Sequence, residues 1–221
     1  MPDTLPINEI FESIQGEARF SGTPSVFLRL QACPVGCPWC DTKHTWDVLE
    51  NNEISAPDMI AKTQDAPSFA RMSVAEVVKT VKTYNARHVV ITGGEPALYD
   101  LRPLTHALLE NNFSVQLETS GTHEIRVAEK TFVTLSPKYD MPGGLKVLDS
   151  ALSRANELKL PIGKRADVAE LAEKIKGKHH AEAIWLQPLS RNPKATQICV
   201  DEAIARNWKV SVQIHAFLGL R

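Results

Sequence analysis

The sequence predicts an α/β fold built on a mostly parallel sheet. Short apolar runs alternate with stretches of helical spacing, and the chemically distinctive motifs fall just after the apolar runs. Alternation of this kind lays helices on a parallel sheet. Ligands then gather at the carboxyl ends of the strands. With 221 residues the chain suits one domain, 1–221, with a substantial core.

Taken in order, Ser25 to Leu30, His88 to Thr92, Phe113 to Glu118, Phe132 to Ser136, Ala183 to Gln187 and Trp208 to Ile214 read as strands. Most are rich in β-branched residues, as buried strands are. Ser73 to Asn85, Leu101 to Asn112, Ala166 to Lys176 and Pro193 to Asn207 carry helical spacing. Ser73 with Glu76 forms a capping-box signature. Asn192 and Pro193 read as N-cap and first helical residue. The polar stretch 50–71, with two prolines, reads as a surface insertion, and Met141 to Gly144 as a turn-rich loop.

Composition narrows the function. Lys plus Arg number 25 against 26 Asp plus Glu, so no basic excess points to nucleic acid. No apolar run approaches the ~20 residues that span a bilayer. The first residues lack a signal-peptide core. The expected compartment is the cytosol.

The most informative string is CPVGCPWC, which places Cys33, Cys37 and Cys40 in a C-x3-C-x2-C spacing. Three thiolates on one short loop can hold three irons of a [4Fe–4S] cluster and leave the fourth open. Structural zinc would want a fourth ligand, for which His44 is a candidate. A redox pair would need only Cys37 and Cys40. Cys199 lies in a helical pattern and reads as core. After the strand HVVI comes Thr92 to Pro96, TGGEP. Its two glycines allow close approach of a ligand to backbone or simply make a tight turn. Glu95 could accept from an amine or cap a helix.

CPVGCPWC followed by ITGGEP resembles the radical S-adenosylmethionine superfamily, which implies a partial, incomplete β/α barrel. The strings INEIFESIQGE, FLRLQACPVGCPWCDTKHTW, LETSGTH, LSPK and SVQIH narrow the resemblance to the 7-carboxy-7-deazaguanine synthase family. That resemblance implies a [4Fe–4S] cluster, S-adenosylmethionine and Mg²⁺. It also implies a radical lyase reaction that contracts 6-carboxy-5,6,7,8-tetrahydropterin to 7-carboxy-7-deazaguanine with loss of ammonia, in queuosine and 7-deazapurine biosynthesis. The expected partners are a flavodoxin- or ferredoxin-type electron donor and a second copy in a homodimer.

Roles carry over position by position as implications of the resemblance. Cys33, Cys37 and Cys40 would hold the cluster. Gly94, Ser136, Pro137, Lys138 and Gln187 would contact S-adenosylmethionine, and Thr42 would bind Mg²⁺. Ile14, Gln15, Gly16, Arg29 and Thr92 would meet the substrate. A guanidinium such as Arg29 pairs with a carboxylate through two hydrogen bonds. A structural ion pair for Arg29 and an N-cap role for Thr42 are the bland counterparts. Glu17 could be surface charge, and Glu118 could hold the ribose hydroxyls of S-adenosylmethionine, face the substrate or be a structural carboxylate. His215 has a weaker claim, because the family's Q-x-H-K ending is here followed by Ala216. Trp39 would shield the cluster or pack on adenine. A glycyl-radical activating enzyme and a zinc-stabilised binding module are the competing classes.

Overall fold

A computed structural model describes residues 4–220; the outermost limits of the expected domain, residues 1–3 and 221, lie outside the described residues. The strands are β1 (Thr4–Ile14), β2 (Pro24–Leu30), β3 (Ala70–Ser73), β4 (His88–Gly93), β5 (Ser114–Thr119), β6 (Phe132–Leu135), β7 (Glu157–Ile162), β8 (Ala183–Pro188) and β9 (Lys209–Val210). The helices are α1 (Ala56–Ile60), α2 (Val74–Val81), α3 (Arg102–Glu110), α4 (Asp149–Arg154), α5 (Arg165–Ile175), α6 (Pro193–Arg206) and α7 (Ile214–Phe217). Among the described residues the strands form one sheet in the order β3-β1-β2-β4-β5-β6-β7-β8-β9. From β2 to β9 every pairing is parallel, while β1 runs antiparallel to both β2 and β3. The sheet does not close, so the architecture is the expected partial β/α barrel.

Register divides the side chains into two faces, because paired residues in a sheet point the same way. Leu28, Ile91, Leu117 and Val133 form one continuous row, each 0% exposed. They join the core cluster with Val77 of α2, Leu104 and Leu108 of α3 and Val168 of α5. The next residues along each strand point to the opposite, concave face. There Arg29 pairs with Thr92, Glu118 with Thr134, Thr134 with Glu157, and Lys159 with Trp185. One face is thus hydrocarbon under helices, and the other is mostly polar, with Phe27, Val90 and Phe132 among its polar residues.

Local signals behave as their chemistry dictates. The Ser73–Glu76 capping box is formed at α2, and the Asn192 side chain caps α6 ahead of Pro193. Cys199 is fully buried in α6. Three strands had no clear sequence signal. In β1 a bulge between Ile7 and Glu9 breaks the alternation, so Ile7 and Ile10 are both buried. β3 has four residues. β7 carries Pro161, which normally argues against a strand interior. Pairing with β6 has ended by then, at Leu158. The expected strand 208–214 shortens to two residues before the chain turns into α7. Within 50–71 the polar residues are mostly exposed, but Met59 and Phe69 are 1% and 0% exposed and Ala70 opens β3.

Truncating the hydrocarbon row should cost stability without touching the polar face. Leu117→Ala is expected to lose about 2–5 kcal/mol, read from the shift of the urea midpoint at unchanged slope.

Candidate functional site

Three loops at the carboxyl ends of strands are stitched together through backbone. The cysteine loop leaves β2 with Ala32 at φ +82°. Its root is fixed where the Ala32 and Cys33 N–H groups donate to the carbonyls of Thr45 (2.8 Å) and Trp46 (3.0 Å). From the loop after β4, the Gly94 and Glu95 N–H groups donate to the carbonyls of Leu30 (2.8 Å) and Ala32 (2.7 Å). A Cβ on Gly94 would stand 2.0 Å from the Ala32 oxygen, so this approach admits only glycine. The Met141 to Gly144 loop packs on the cysteine loop in the same manner. Gly143 donates to the Val35 carbonyl at 3.1 Å, and a Cβ there would stand 1.9 Å from the Pro34 oxygen.

Glu95 secures this arrangement from below. It is 1% exposed, and its carboxylate accepts from Ala97 N (2.9 Å), Thr119 Oγ1 (2.6 Å), Ser120 N (2.8 Å) and the Ser120 hydroxyl. Of the two readings for Glu95, the cap of the short Pro96–Leu98 helix is the one realised.

All three loop cysteines are free thiols. Burial pushes Cys33 up to about 11, with Glu95 and the other two cysteines adding to it. Burial also raises Cys37, against the opposing charge of Lys138. The sulfurs are not drawn together as one ion would require. The histidine, cysteine and carboxylate ligand atoms that come within 4.8 Å of one another among the described residues are those of Glu9, His44 and Asp65. His44 therefore turns away from the cysteines, with Nε2 at 3.5 Å from Glu9 Oε1, and does not complete a zinc site. Three thiols on one loop that form no tight single-ion group with one another among the described residues fit a cubic cluster with one open iron. The Thr42 hydroxyl makes no cap bond and lies 3.5 Å from Cys40 Sγ. It is left beside the cluster loop as an oxygen donor. Trp39 is 43% exposed.

The chain after β1 supplies the other side of the site. The end of β1 lies opposite the start of β2, away from the cysteines. Gln15 and Glu17 then turn back over the concave face. Gln15 Nε2 donates to Glu118 Oε1 at 2.9 Å and Gln116 Oε1 at 3.2 Å. Glu17 accepts from Gln187 Nε2 (3.1 Å), Gln213 Nε2 (2.8 Å) and the Lys159 ammonium. Lys159 also donates to Glu118 Oε2 at 3.1 Å. Burial alone would raise the Glu17 carboxyl, but Lys159 and Gln213 outweigh it and hold the group down to about 2. Burial would lower Lys159, but Glu118 and Glu17 raise it instead. Glu17 is therefore no surface charge.

The remaining expected residues fall around this frame. Arg29 lies across from Thr92, with its Nε buried and without a hydrogen-bond partner. Its nearest carboxylate oxygen, on Glu9, is 3.8 Å away, so the ion pair leaves the guanidinium free to donate. Lys138 Nζ folds back on Ser136, at 3.0 Å to the carbonyl and 2.5 Å to the hydroxyl, and burial lowers its pKa. Pro137 is buried between them, and Ile14 ends β1 half-buried. Gly16 is packed by His215, whose Nδ1 would lie 2.0 Å from a Cβ there. Lys159 had no place among the expected site residues. Its signal was the alternation in ELKLPI, where charges at 157 and 159 interleave with Leu158, Leu160 and Ile162.

An open parallel barrel carrying a three-cysteine loop beside a glycine loop at its strand ends defines the class: residues 28–132 match the model of the Radical SAM superfamily. Over 97% of its length the chain is 48% identical to the 7-carboxy-7-deazaguanine synthase of Escherichia coli (strain K12), covering 98% of that protein. It is 44% identical to the enzyme of the same name from Buchnera aphidicola subsp. Schizaphis graminum, over 98% of this chain and 99% of that one. The crystal structure of QueE from Escherichia coli superimposes with a TM-score of 0.91 at 49% identity, covering 95% of this chain and 94% of that one. The chain belongs to the 7-carboxy-7-deazaguanine synthase family, whose cofactors are the [4Fe–4S] cluster and S-adenosylmethionine.

The backbone stitch makes a sharp test. Gly94→Ala forces Ala32 away and should cut iron and sulfide incorporation on anaerobic reconstitution severalfold while leaving the far-ultraviolet circular dichroism unchanged. Full incorporation would show that the contact is dispensable.

Proposed function

We propose that the chain acts as a carbon–nitrogen lyase, contracting 6-carboxy-5,6,7,8-tetrahydropterin to 7-carboxy-7-deazaguanine with release of ammonia. The observation that carries this reading is the concave face itself. Arg29, whose buried Nε has no hydrogen-bond partner, and a set of amides and carboxylates share this face below the cysteine and glycine loops, in a chain 48% identical to a synthase of that name.

Cys33, Cys37 and Cys40 would hold the cluster, and Gly94, Ser136, Pro137, Lys138 and Gln187 would line the S-adenosylmethionine site. Bound there, the cluster and S-adenosylmethionine supply one-electron chemistry that removes a substrate hydrogen. Arg29 pairs with the substrate carboxylate, where a planar fork gives orientation as well as attraction. Ile14, Gln15, Gly16 and Thr92 position the ring system, with amide groups reading its donors and acceptors. Thr42 offers a hard oxygen ligand to Mg²⁺, which keeps most of its shell as water and substrate oxygen.

The chain is read as one working domain that takes its electron from a flavodoxin- or ferredoxin-type donor. A homodimer in the cytoplasm is the expected setting. No helix of the described residues is long and apolar enough to cross a membrane.

Anaerobic reconstitution with S-adenosylmethionine, dithionite, Mg²⁺ and the pterin, followed by mass spectrometry, should yield 7-carboxy-7-deazaguanine. 5′-Deoxyadenosine without the deazapurine would sink the substrate assignment. Cys37→Ala should abolish cluster assembly and turnover together.

Arg29→Ala should raise KM for the pterin roughly ten- to hundredfold with KM for S-adenosylmethionine little changed. Equal loss of both would make Arg29 structural. Thr42→Ala should weaken the stimulation by Mg²⁺, and an unaltered Mg²⁺ titration would remove Thr42 from the metal site.

A further inference from the structure

Lys159 is an amine 8% exposed, set between two carboxylates that come from different parts of the chain. A buried ion pair is weak evidence of stability, because desolvation offsets much of the attraction. The bonding of the two carboxylates is unequal. Glu17 accepts from Lys159, Gln187 and Gln213 and is close to saturated. Glu118 accepts from Lys159 on one oxygen and Gln15 on the other, which leaves lone pairs unused. Its side chain is 21% exposed on the concave face, whereas that of Glu17 is 13%.

We infer that Lys159 is a positioning residue for substrate recognition. Through Glu17 it ties the loop after β1 to β7, and through its second bond it aims the spare acceptor oxygens of Glu118 at the ring N–H donors of the substrate. The amino and amide N–H groups of an aminopyrimidinone edge are the matching chemistry, since a carboxylate accepts from two adjacent donors. Arg29, on β2, would meet the carboxylate at the opposite end of the same molecule. The inference rests on the proposed function and names the group that reads the far edge of its substrate.

Charge around Lys159 comes from Glu17, Glu118, Glu157 and Lys138, with His215 beyond Glu17 and His88 beyond Glu118. Removing the ammonium leaves carboxylates facing one another, which raises their pKa values toward neutrality. Protonated, Glu118 loses acceptor capacity and gains a donor where the substrate also donates.

The test uses the reconstituted holoenzyme and three variants, Lys159→Met, Lys159→Arg and Glu118→Gln, each checked for iron content and thermal midpoint. Lys159→Met is expected to raise KM for the pterin roughly ten- to hundredfold while KM for S-adenosylmethionine stays within about twofold. Its pterin KM should climb further as pH falls from 8 to about 6, a dependence absent from the wild type. Lys159→Arg should recover most of the affinity. Should Lys159→Met fail to fold, Glu118→Gln carries the same KM split without removing a charge partner from the loop. Equal loss for both substrates, an unchanged pterin KM, or a pH profile like the wild type's would overturn the assignment. If the wild type itself makes no deazapurine, the proposed function falls first. If it does and the variants show no split, only the role of Lys159 falls.

Discussion

The polar concave face governs how this sheet can exist. A parallel sheet ordinarily buries apolar side chains on both faces, and here the concave face is mostly polar, with Val90 a fully buried aliphatic exception. Every polar group taken out of water on that face must find a partner. Apart from Arg29 and its neighbour His44, whose buried Nε and Nε2 have no hydrogen-bond partner, the groups across the middle of the face find one another in a directed chain. Gln15 donates to Gln116, Gln116 Nε2 to Thr134 Oγ1 (2.8 Å), and Thr134 to Glu157 Oε1 (2.8 Å). Trp185 Nε1 closes the end by donating to Glu157 Oε2 at 2.8 Å. Glu157 is raised by burial, with Thr134 and Trp185 opposing that rise, so its ring of donors is what keeps the carboxylate tolerable there.

This chain of bonds begins at a recognition residue, Gln15, and runs on beneath the rest of the face. Glu118 sits beside it, tied in by the same Gln15 amide. At the end remote from the cysteines, Phe20 closes the face. Its ring lies 4.3 Å from that of His88 and 4.9 Å edge-on from that of Phe132. Burial lowers His88, so it works as a neutral hydrogen-bonding ring, bridging Ser114 and Gln116. The loop that carries Gln15 and Glu17 is therefore held at its exit by aromatic packing and in its middle by charge. A ligand entering from the strand ends meets a fixed floor, which limits the ordering that binding must impose.

Much of this was legible in the sequence, and the rest was hidden for identifiable reasons. The strands SVFLRL, HVVIT and FSVQLE were visible because their outward residues are aliphatic and β-branched. The capping residues Ser73 and Asn192 marked their helices because that chemistry is local. β1 escaped because its bulge shifts the apolar positions from odd to even numbers. β7 escaped because Glu157 and Lys159 look solvent-facing until the second layer is known. Spacing alone showed that three cysteines share a loop; it could not show that His44 points to Glu9. The functional family was legible through strings such as CPVGCPWC and TGGEP, which are local. The Glu17–Lys159–Glu118 cluster was not, since its members are separated by 142 and 41 residues from Lys159 and meet only through the register of the sheet.

The cysteine loop shows what the frame is for. Burial pushes the Cys33 and Cys37 thiols toward the protonated form, and Glu95 beside them adds to the effect. Metal binding must displace those protons, so assembly is coupled to proton release. Glu95 is held in place by four donors from two segments, Ala97 and the adjacent Thr119 and Ser120. Lys138 supplies the compensation, drawing Cys37 downward while remaining anchored on Ser136. The carboxylate that fixes the glycine loop and the lysine that favours a thiolate thus oppose one another across the same few ångströms. The loop is held ready in shape, and Cys33, Cys37 and Cys40 would bind the cluster as thiolates.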